Sequence, residues 1–349
     1  MTDIKVNCLG AAEASLCPDV ARFVEAAGTK TLDHDPRWLT VLARGLQQTP
    51  YLLCARHGMA LAGILPLSYL KGPLFGRFLV SLPYLNGGGV LAPDPRVAEC
   101  LIERAIELAG DLDVRFLEFR QESPLKHPQL CESRHDKCHM RLVLPVSQDA
   151  LWKQIPAKVR NQIRKGEKQG FTIEWGGPER LADFYEVFSH NMRDLGTPVY
   201  GCSLFREILT HFKSESELCV LRLGNRPVAA ALLLHGSTVT EVPSASSLRK
   251  FNSTNANMFM YWQLICRAVE RGNRTFDFGR STPGSGTYRF KEQWGAKPEP
   301  SVWQYYVRRG VAQQMRPDNA RFGRLIRIWR RLPVPLTRLI GPTIVRGIP

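Results

Sequence analysis

Two stretches of this chain repeat one another, and that repetition limits the fold more than any other feature. Leu101-Ile102-Glu103-Arg104-Ala105-Ile106-Glu107 aligns with Leu264-Ile265-Cys266-Arg267-Ala268-Val269-Glu270, with five of seven positions identical. Each stretch is followed by a short aromatic run, Phe116-Leu117-Glu118-Phe119-Arg120 in one case and Phe276-Asp277-Phe278-Gly279-Arg280 in the other. Upstream, Tyr51 to Arg56 and Met59 to Ser68 mirror Leu218 to Leu223 and Pro227 to Leu234. Chance supplies a short match more readily than it supplies the same flanks in the same order, so the chain reads as a duplicated domain. Its 349 residues accommodate two units of about 150 each.

Each half reads as helices, an antiparallel meander, a helix and a strand. In the first half Asp35 caps a helix with Pro36 at its first position, running through Trp38, Leu42 and Leu46. In the second, Ser147 and Gln148 open a helix that breaks or restarts at Pro156 and stops at Gly170. Phe171 to Trp175 follows as a strand, and Pro178 starts a helix through Phe184 and Phe188. The expected class is α/β (α+β), with a mixed, largely antiparallel sheet flanked by helices in each half. The regular βαβ alternation of a doubly wound sheet is missing. The expected divisions are 1–145, 146–310 and a basic tail at 311–349.

With 44% apolar and 23% charged residues, the chain has the composition of an ordinary globular protein. No apolar run approaches the roughly 18 residues of a membrane span. Met1 to Gly10 lacks the basic region and apolar core of a signal peptide, and nine scattered cysteines fit a reducing cytoplasm. Between the halves, His127, Cys131, His135, Cys138 and His139 invite a zinc reading. Their spacing matches none of the usual ligand pairs, so no metal is expected.

The net charge of +15 is unevenly spread. From Arg308 to the end there are ten arginines, one aspartate, no lysine and no glutamate, more than half of the net charge. Phe322, Leu325, Ile326, Trp329 and Leu332 fall at helical spacing on one side, with Arg324, Arg327, Arg330 and Arg331 opposite. Such a helix can lie on an anionic membrane surface, or pack its apolar face on the body and solvate its arginines. Basic charge is also the footprint of nucleic-acid binding, but no recognition module accompanies it.

The chemistry concentrates near the second aromatic run. Phe276-Asp277-Phe278-Gly279-Arg280-Ser281 reads as a buried strand, and Gly286-Thr287-Tyr288-Arg289-Phe290-Lys291-Glu292-Gln293-Trp294-Gly295-Ala296 as a helical turn crowded with ionisable groups. A hydrophobic strand ending in such a turn is how α/β enzymes place chemistry. Asp277 points away from the face of its phenylalanine neighbours; it can serve as a base or as a salt-bridge partner of Arg280 or Arg289. Glu241 is a lone acid in the β-branched run Thr238-Val239-Thr240-Glu241-Val242, a base or an exposed alternating residue. Tyr288 and Lys291 share a helical face. Lys158, Arg160, Arg164 and Lys165 form one basic run. Arg249, Lys250, Asn255 and Asn257 form another before the helix Met258 to Arg271, where a helix N-terminus suits an anion. Pro83-Tyr84-Leu85-Asn86-Gly87-Gly88-Gly89 is a candidate substrate loop, or a flexible turn.

From about Asp33 to Tyr306, and most strongly from Trp152 to Trp303, this wording resembles the FemAB-type transferases. It is most similar to the FemAB-related proteins found with exosortase (PEP-CTERM) and exopolysaccharide genes. The resemblance implies tandem GNAT (GCN5-related N-acetyltransferase) folds, with the active site in the second. It implies that Phe290-Lys291 supplies a lysine beside the reacting carbonyl, suited to the negative charge that develops there. It further implies that Tyr288 protonates the leaving group and Glu241 acts as general base. Lys158, Arg160, Arg164, Asn86, Arg280 and Arg289 would contact substrate, and Arg249, Lys250, Asn255 and Asn257 an acyl-CoA pyrophosphate. The Gln/Arg-x-x-Gly-x-Gly/Ala fingerprint of GNAT enzymes is absent here, as it is in Fem-type enzymes, which use aminoacyl-tRNA. The long helical arm of some Fem enzymes is absent too. The donor therefore stands open among acyl-CoA, acyl carrier protein and aminoacyl-tRNA, with no permanently bound cofactor. The implied activity is N-acyl or aminoacyl transfer to an amino group of a cell-envelope or exopolysaccharide glycan precursor, in the cytoplasm or at the inner membrane face. A non-catalytic glycan- or lipid-binding scaffold is the alternative.

Overall fold

The computed structural model describes residues 4–15, 17–72, 75–311 and 323–349. Its first elements are β1 (Ile4–Gly10), α1 (Ala11–Ser15), α2 (Pro18–Ala26), α3 (Arg37–Leu46), β2 (Thr49–His57), β3 (Ala60–Gly72), β4 (Gly76–Val80), α4 (Pro95–Asp111), β5 (Phe116–Gln121), β6 (Glu132–Arg134) and β7 (Cys138–Val143). There follow α5 (Gln148–Gln154), α6 (Ala157–Glu167), β8 (Phe171–Gly176), α7 (Leu181–Leu195), α8 (Cys202–His211), β9 (Ser216–Leu223), β10 (Arg226–His235), β11 (Val239–Ser247), α9 (Ala256–Glu270), β12 (Thr275–Ser281), α10 (Gly286–Glu292), β13 (Lys297–Pro300) and β14 (Val302–Val307). The tail adds α11 (Gly323–Trp329) and α12 (Val334–Val345).

Local signals act where the sequence carries them. Ser147 caps α5, its hydroxyl accepting from the Ala150 amide at 3.2 Å. Gly170, at φ +74°, turns the chain from α6 into β8. Asp35 caps α3 from one position further out than a usual cap: Oδ1 accepts from the Arg37 amide at 2.9 Å. In β10 the unbroken apolar run Val228 to Leu234 fits a strand buried on both faces. Ala229, Ala231 and Leu233 join the core beneath α9, while Ala230, Leu232 and Leu234 join the core of α7 and α8.

Two seven-stranded sheets result, in the orders β1-β2-β3-β4-β5-β14-β6 and β13-β7-β12-β11-β10-β9-β8. Read from β8 backwards, the second order reproduces the first. The repeated heptapeptides lie in α4 and α9, each linking the one parallel strand pair of its sheet, β4 with β5 and β11 with β12. The duplication is therefore a duplication of fold, two GNAT-like domains with mixed sheets.

The sequence divisions need one correction. β7 precedes residue 145 yet pairs with β12 in the second sheet, and β14 lies within 146–310 yet pairs with β5 in the first. Each fifth strand needs an antiparallel neighbour, and the chain supplies it by exchange. The domains also share a core: Trp38, Leu42 and Leu85 of the first pack with Phe184, Phe205 and Leu232 of the second. Gly45 of α3 lies so close to α8 that a Cβ there would stand 2.8 Å from the Leu204 Cα.

The tail is not a free appendage. α12 packs on α7, where Arg338 pairs with Glu186 and donates to the Ser189 hydroxyl at 2.8 Å. On α11, Trp329 is buried, whereas Leu325 and Ile328 are 61% and 57% exposed. The expected single apolar face is thus divided, one side on the body and one toward solvent. Phe322, which the spacing assigned to that face, lies outside the described residues.

Candidate active site

The parallel pairing of β11 with β12 covers three residue pairs and ends at Glu241 opposite Asp277, beyond which no pairing joins the two strands. Alternation separates their side chains: Val242, Phe276 and Phe278 enter the core beneath α9, leaving Glu241 and Asp277 on the opposite face. On β7 the same rule sends Met140 and Leu142 into that core and turns His139 and Arg141 toward Asp277. The first domain contributes Asp33. A buried polar cluster therefore sits where the strands part, between the two domains.

Asp277, 1% exposed, is the hub. Its Oδ2 accepts from Nε of Arg141 at 3.0 Å and lies 3.0 Å from Nδ1 of His139, while Oδ1 accepts from the Gly279 amide at 2.7 Å. Burial works against its charge, but the His139 and Arg141 contacts outweigh it and hold the carboxyl below its ordinary range. Glu241 moves the other way. Burial, then the charges of Asp33 and Asp277, push its carboxyl well above the ordinary range. Asp33 is likewise raised to about 6, chiefly by burial. Nε2 of His139 is buried and has no hydrogen-bond partner among the described residues.

Lys291, 8% exposed, enters from α10. Its ammonium donates to the carbonyls of Gly279 and Arg280, each at 3.0 Å, at the irregularity that interrupts β12. Burial lowers its pKa to about 8. Ser285 caps α10 through the Tyr288 amide, and Phe290 meets Tyr261 edge to face at 5.0 Å, so the helix is fixed between β12 and α9. Tyr288 is half-buried against the α9 core. Lys291 and Tyr288 lie at the end of β12 and Glu241 with Asp277 where the strands part, and the Asp277 charge acts on the Lys291 ammonium. Asp277, expected to pair with Arg280 or Arg289, pairs with Arg141 and His139.

The remaining candidates divide. Arg280 donates from Nε to the Asn86 side chain at 2.8 Å, joining the two domains. Arg160 is occupied by carbonyls of Trp152 and Ile155, where it closes the end of α5, and Arg164 lies over the Trp152 ring. Lys158 and Arg289 are exposed. Arg249 donates to the Asp194 carbonyl, and Lys250 lies over Phe251. Asn255 takes φ +57° at the head of α9, with Asn257 half-buried beside it. The triple glycine does not open space for a ligand. A Cβ on Gly87 would stand 2.4 Å from the Asp33 carboxylate, and one on Gly89 2.6 Å from Gln121, so these glycines serve close packing. Among the described residues no group of three or more His, Cys, Asp and Glu is arranged to hold a metal.

The matching junction in the first sheet is closed. Glu118 occupies the place of Asp277, and it pairs with Arg120 at 2.7 Å. Arg120 also donates to the Leu85 carbonyl at 2.7 Å, and Val80 stands where the second sheet has Glu241. What sequence reasoning missed is His139, considered only as a metal ligand. Its place in an alternating run beside Arg141 was the available signal.

Residues 154–292 match the family model described as an acetyltransferase (GNAT) domain. The crystal structure of FemX resembles the chain with a TM-score of 0.63 at 15% identity, covering 89% of this chain and 98% of that one. A tandem GNAT protein from the clavulanic acid biosynthesis pathway gives 0.56 at 12% identity, covering 87% and 98%. L-PGS from Bacillus licheniformis gives 0.55 at 15%, covering 93% and 96%. At these identities the likeness is one of fold. No curated protein matches the sequence.

Proposed function

We propose that this chain, whose fold is that of the FemAB-like tandem GNAT proteins, is an acyl- or aminoacyltransferase acting on an amino group. The observation that carries the reading is the buried pair of carboxyls where β11 and β12 part, Glu241 opposite an Asp277 that His139 and Arg141 contact. One carboxyl there, Asp277, is held ionised, and its neighbour Glu241 is made a stronger base than an ordinary carboxylate. A buried ammonium, Lys291, stands at the end of the same strand.

The acceptor amine attacks the donor's acyl carbonyl, the C–N bond forms, and the bond to the leaving thiolate or alkoxide breaks. Glu241 takes the amine's proton. The third N–H of Lys291, beyond the two spent on carbonyls, faces the developing oxyanion. Tyr288 returns a proton to the leaving group. The acyl donor binds as a co-substrate at the parted strands and the α9 terminus. Acyl-CoA, an acyl carrier protein and aminoacyl-tRNA all meet that chemistry. The acceptor in this reading is an amino sugar of a nucleotide- or lipid-linked envelope or exopolysaccharide precursor.

Among the described residues no helix is long and apolar enough to cross a membrane. We place the protein in the cytoplasm, at the inner membrane face. On α11 Leu325 and Ile328 are exposed, as are Arg324 and Arg327, and Leu339 of α12 is 74% exposed. Changing Arg324, Arg327, Arg330 and Arg331 to Gln should weaken binding to vesicles containing anionic lipid, at about 1 kcal/mol per charge, and raised salt should mimic it. Equal binding by both proteins would assign the tail to packing alone.

Native mass spectrometry of protein purified from its own host tests the donor. A retained acyl-CoA, acyl chain or aminoacyl group supports transfer; a glycan retained without transfer of any donor's acyl group favours a scaffold.

A further inference from the structure

Three arginines surround one indole. Trp303 pairs across β14 with Arg120 on β5 and with Arg134 on β6. The Arg120 guanidinium stands 4.0 Å from the Trp303 ring centre, Arg134 5.7 Å, and Arg280, arriving from the second domain, 3.5 Å. Two of these cations are compensated: Arg120 by Glu118 at 2.7 Å and Arg134 by Asp136 at 2.5 Å. Arg280 has no carboxylate within ion-pair distance among the described residues. Among the described residues its one side-chain hydrogen bond runs from Nε to Asn86, a neutral group, and neither Nη nitrogen has a partner.

A half-buried guanidinium without a counter-charge is costly, and a neighbouring like charge adds to the cost. Burial, then Arg120, press the pKa of Arg280 down to about 9. A second donor in the stack, Nε1 of Trp303, is buried with no acceptor among the described residues. Unspent donors and one surplus positive charge, held rigid on an indole face, suit the paired non-bridging oxygens of a phosphate. Arg280 as a residue is partly exposed.

We propose that Arg280, oriented by Asn86 and Trp303, binds a phosphate of the acceptor across the domain boundary. The word acceptor rests on the transferase reading; the phosphate site does not. The phosphate can belong to a nucleotide-linked or a lipid-linked sugar, which share the phosphodiester. Gripped there, the acceptor is held by a second-domain residue that Asn86 and Trp303 of the first domain orient.

Calorimetric titration of the full chain at fixed ionic strength tests this with inorganic pyrophosphate and, separately, acetate. Wild type should bind pyrophosphate more tightly than acetate. Arg280→Gln should weaken pyrophosphate binding about tenfold or more, the usual scale for a lost charge-assisted bidentate contact. Asn86→Asp keeps the contact to Nε but supplies the missing counter-charge. It should abolish binding while raising thermal stability, so the test survives if Arg280→Gln does not fold. The surface change Arg104→Gln should leave binding as in wild type. Unaltered affinity in Arg280→Gln or Asn86→Asp, absence of pyrophosphate binding by wild type, or tighter binding of acetate would overturn the assignment. UDP-sugar and undecaprenyl-pyrophosphate analogues in the same titration distinguish the two sources. None of these readouts needs acyl transfer, so failure of the transferase reading would leave the result intact.

Discussion

Asp33 and Lys291 make opposite statements about pH. Folding raises the Asp33 pKa to about 6, so its protonated form is the one the fold favours. Its contribution to stability is fully present below the unfolded value of about 4 and is lost as pH rises through 6. D33N should therefore raise stability at pH 7 by on the order of 2 kcal/mol, and leave it nearly unchanged at pH 4. Denaturant melts at the two pH values measure this, and an equal effect at both would remove Asp33 from the titrating cluster. Lys291 is lowered to about 8, so its burial costs stability in full below that value, and the cost fades as pH rises from 8 toward the ordinary lysine range. Turnover that needs the ammonium should fall as pH rises through 8, and the fall should vanish in Lys291→Met. The identity of Lys291 was readable from the Phe-Lys pair. Its fixing on two carbonyls was not, because the irregularity in β12 that frees them arises from pairing with β7, more than a hundred residues away in the chain.

Among the elements, the repeated heptapeptides gave α4 and α9 directly, since a helix between two parallel strands carries its apolar face in local spacing. The apolar run of β10 announced burial on both faces for the same reason. Strand exchange left no such mark. β7 and β14 are both short alternating segments, and nothing local in either says which sheet it will join. The pairing of His139 with Asp277 follows from that exchange and was equally invisible. α12 offers a test of how elements are seated. A Cβ on Gly341 would stand 2.9 Å from the Val199 amide nitrogen and 3.0 Å from its carbonyl oxygen, backbone that cannot step aside. Gly341→Val should therefore lift α12 from the body. Limited proteolysis should then remove the tail at least several-fold faster, with the rest of the chain intact. Unchanged cleavage would mean that α12 is held by Arg338 and its partners instead.

For the whole molecule, exchange and the shared core predict that the two domains unfold together. Calorimetry should record one transition, and two resolved transitions would contradict the shared core. A fragment of residues 146–310 should not fold alone, because it lacks β7 and carries β14 without β5. The Glu118–Arg120 pair at the first junction, against Glu241 beside Asp277 at the second, further predicts that chemistry is confined to the second. The most direct test of that claim is transfer of a labelled acyl group from a panel of acyl-CoA, acyl carrier protein and aminoacyl-tRNA donors to amino-sugar acceptors, with wild type beside Lys291→Met. Wild type should transfer from one donor class, and the folded variant should be slower by about 10²–10³-fold, the usual loss for one oxyanion-stabilising donor. Full activity in folded Lys291→Met protein, or no transfer by wild type from any of these donors, would contradict it.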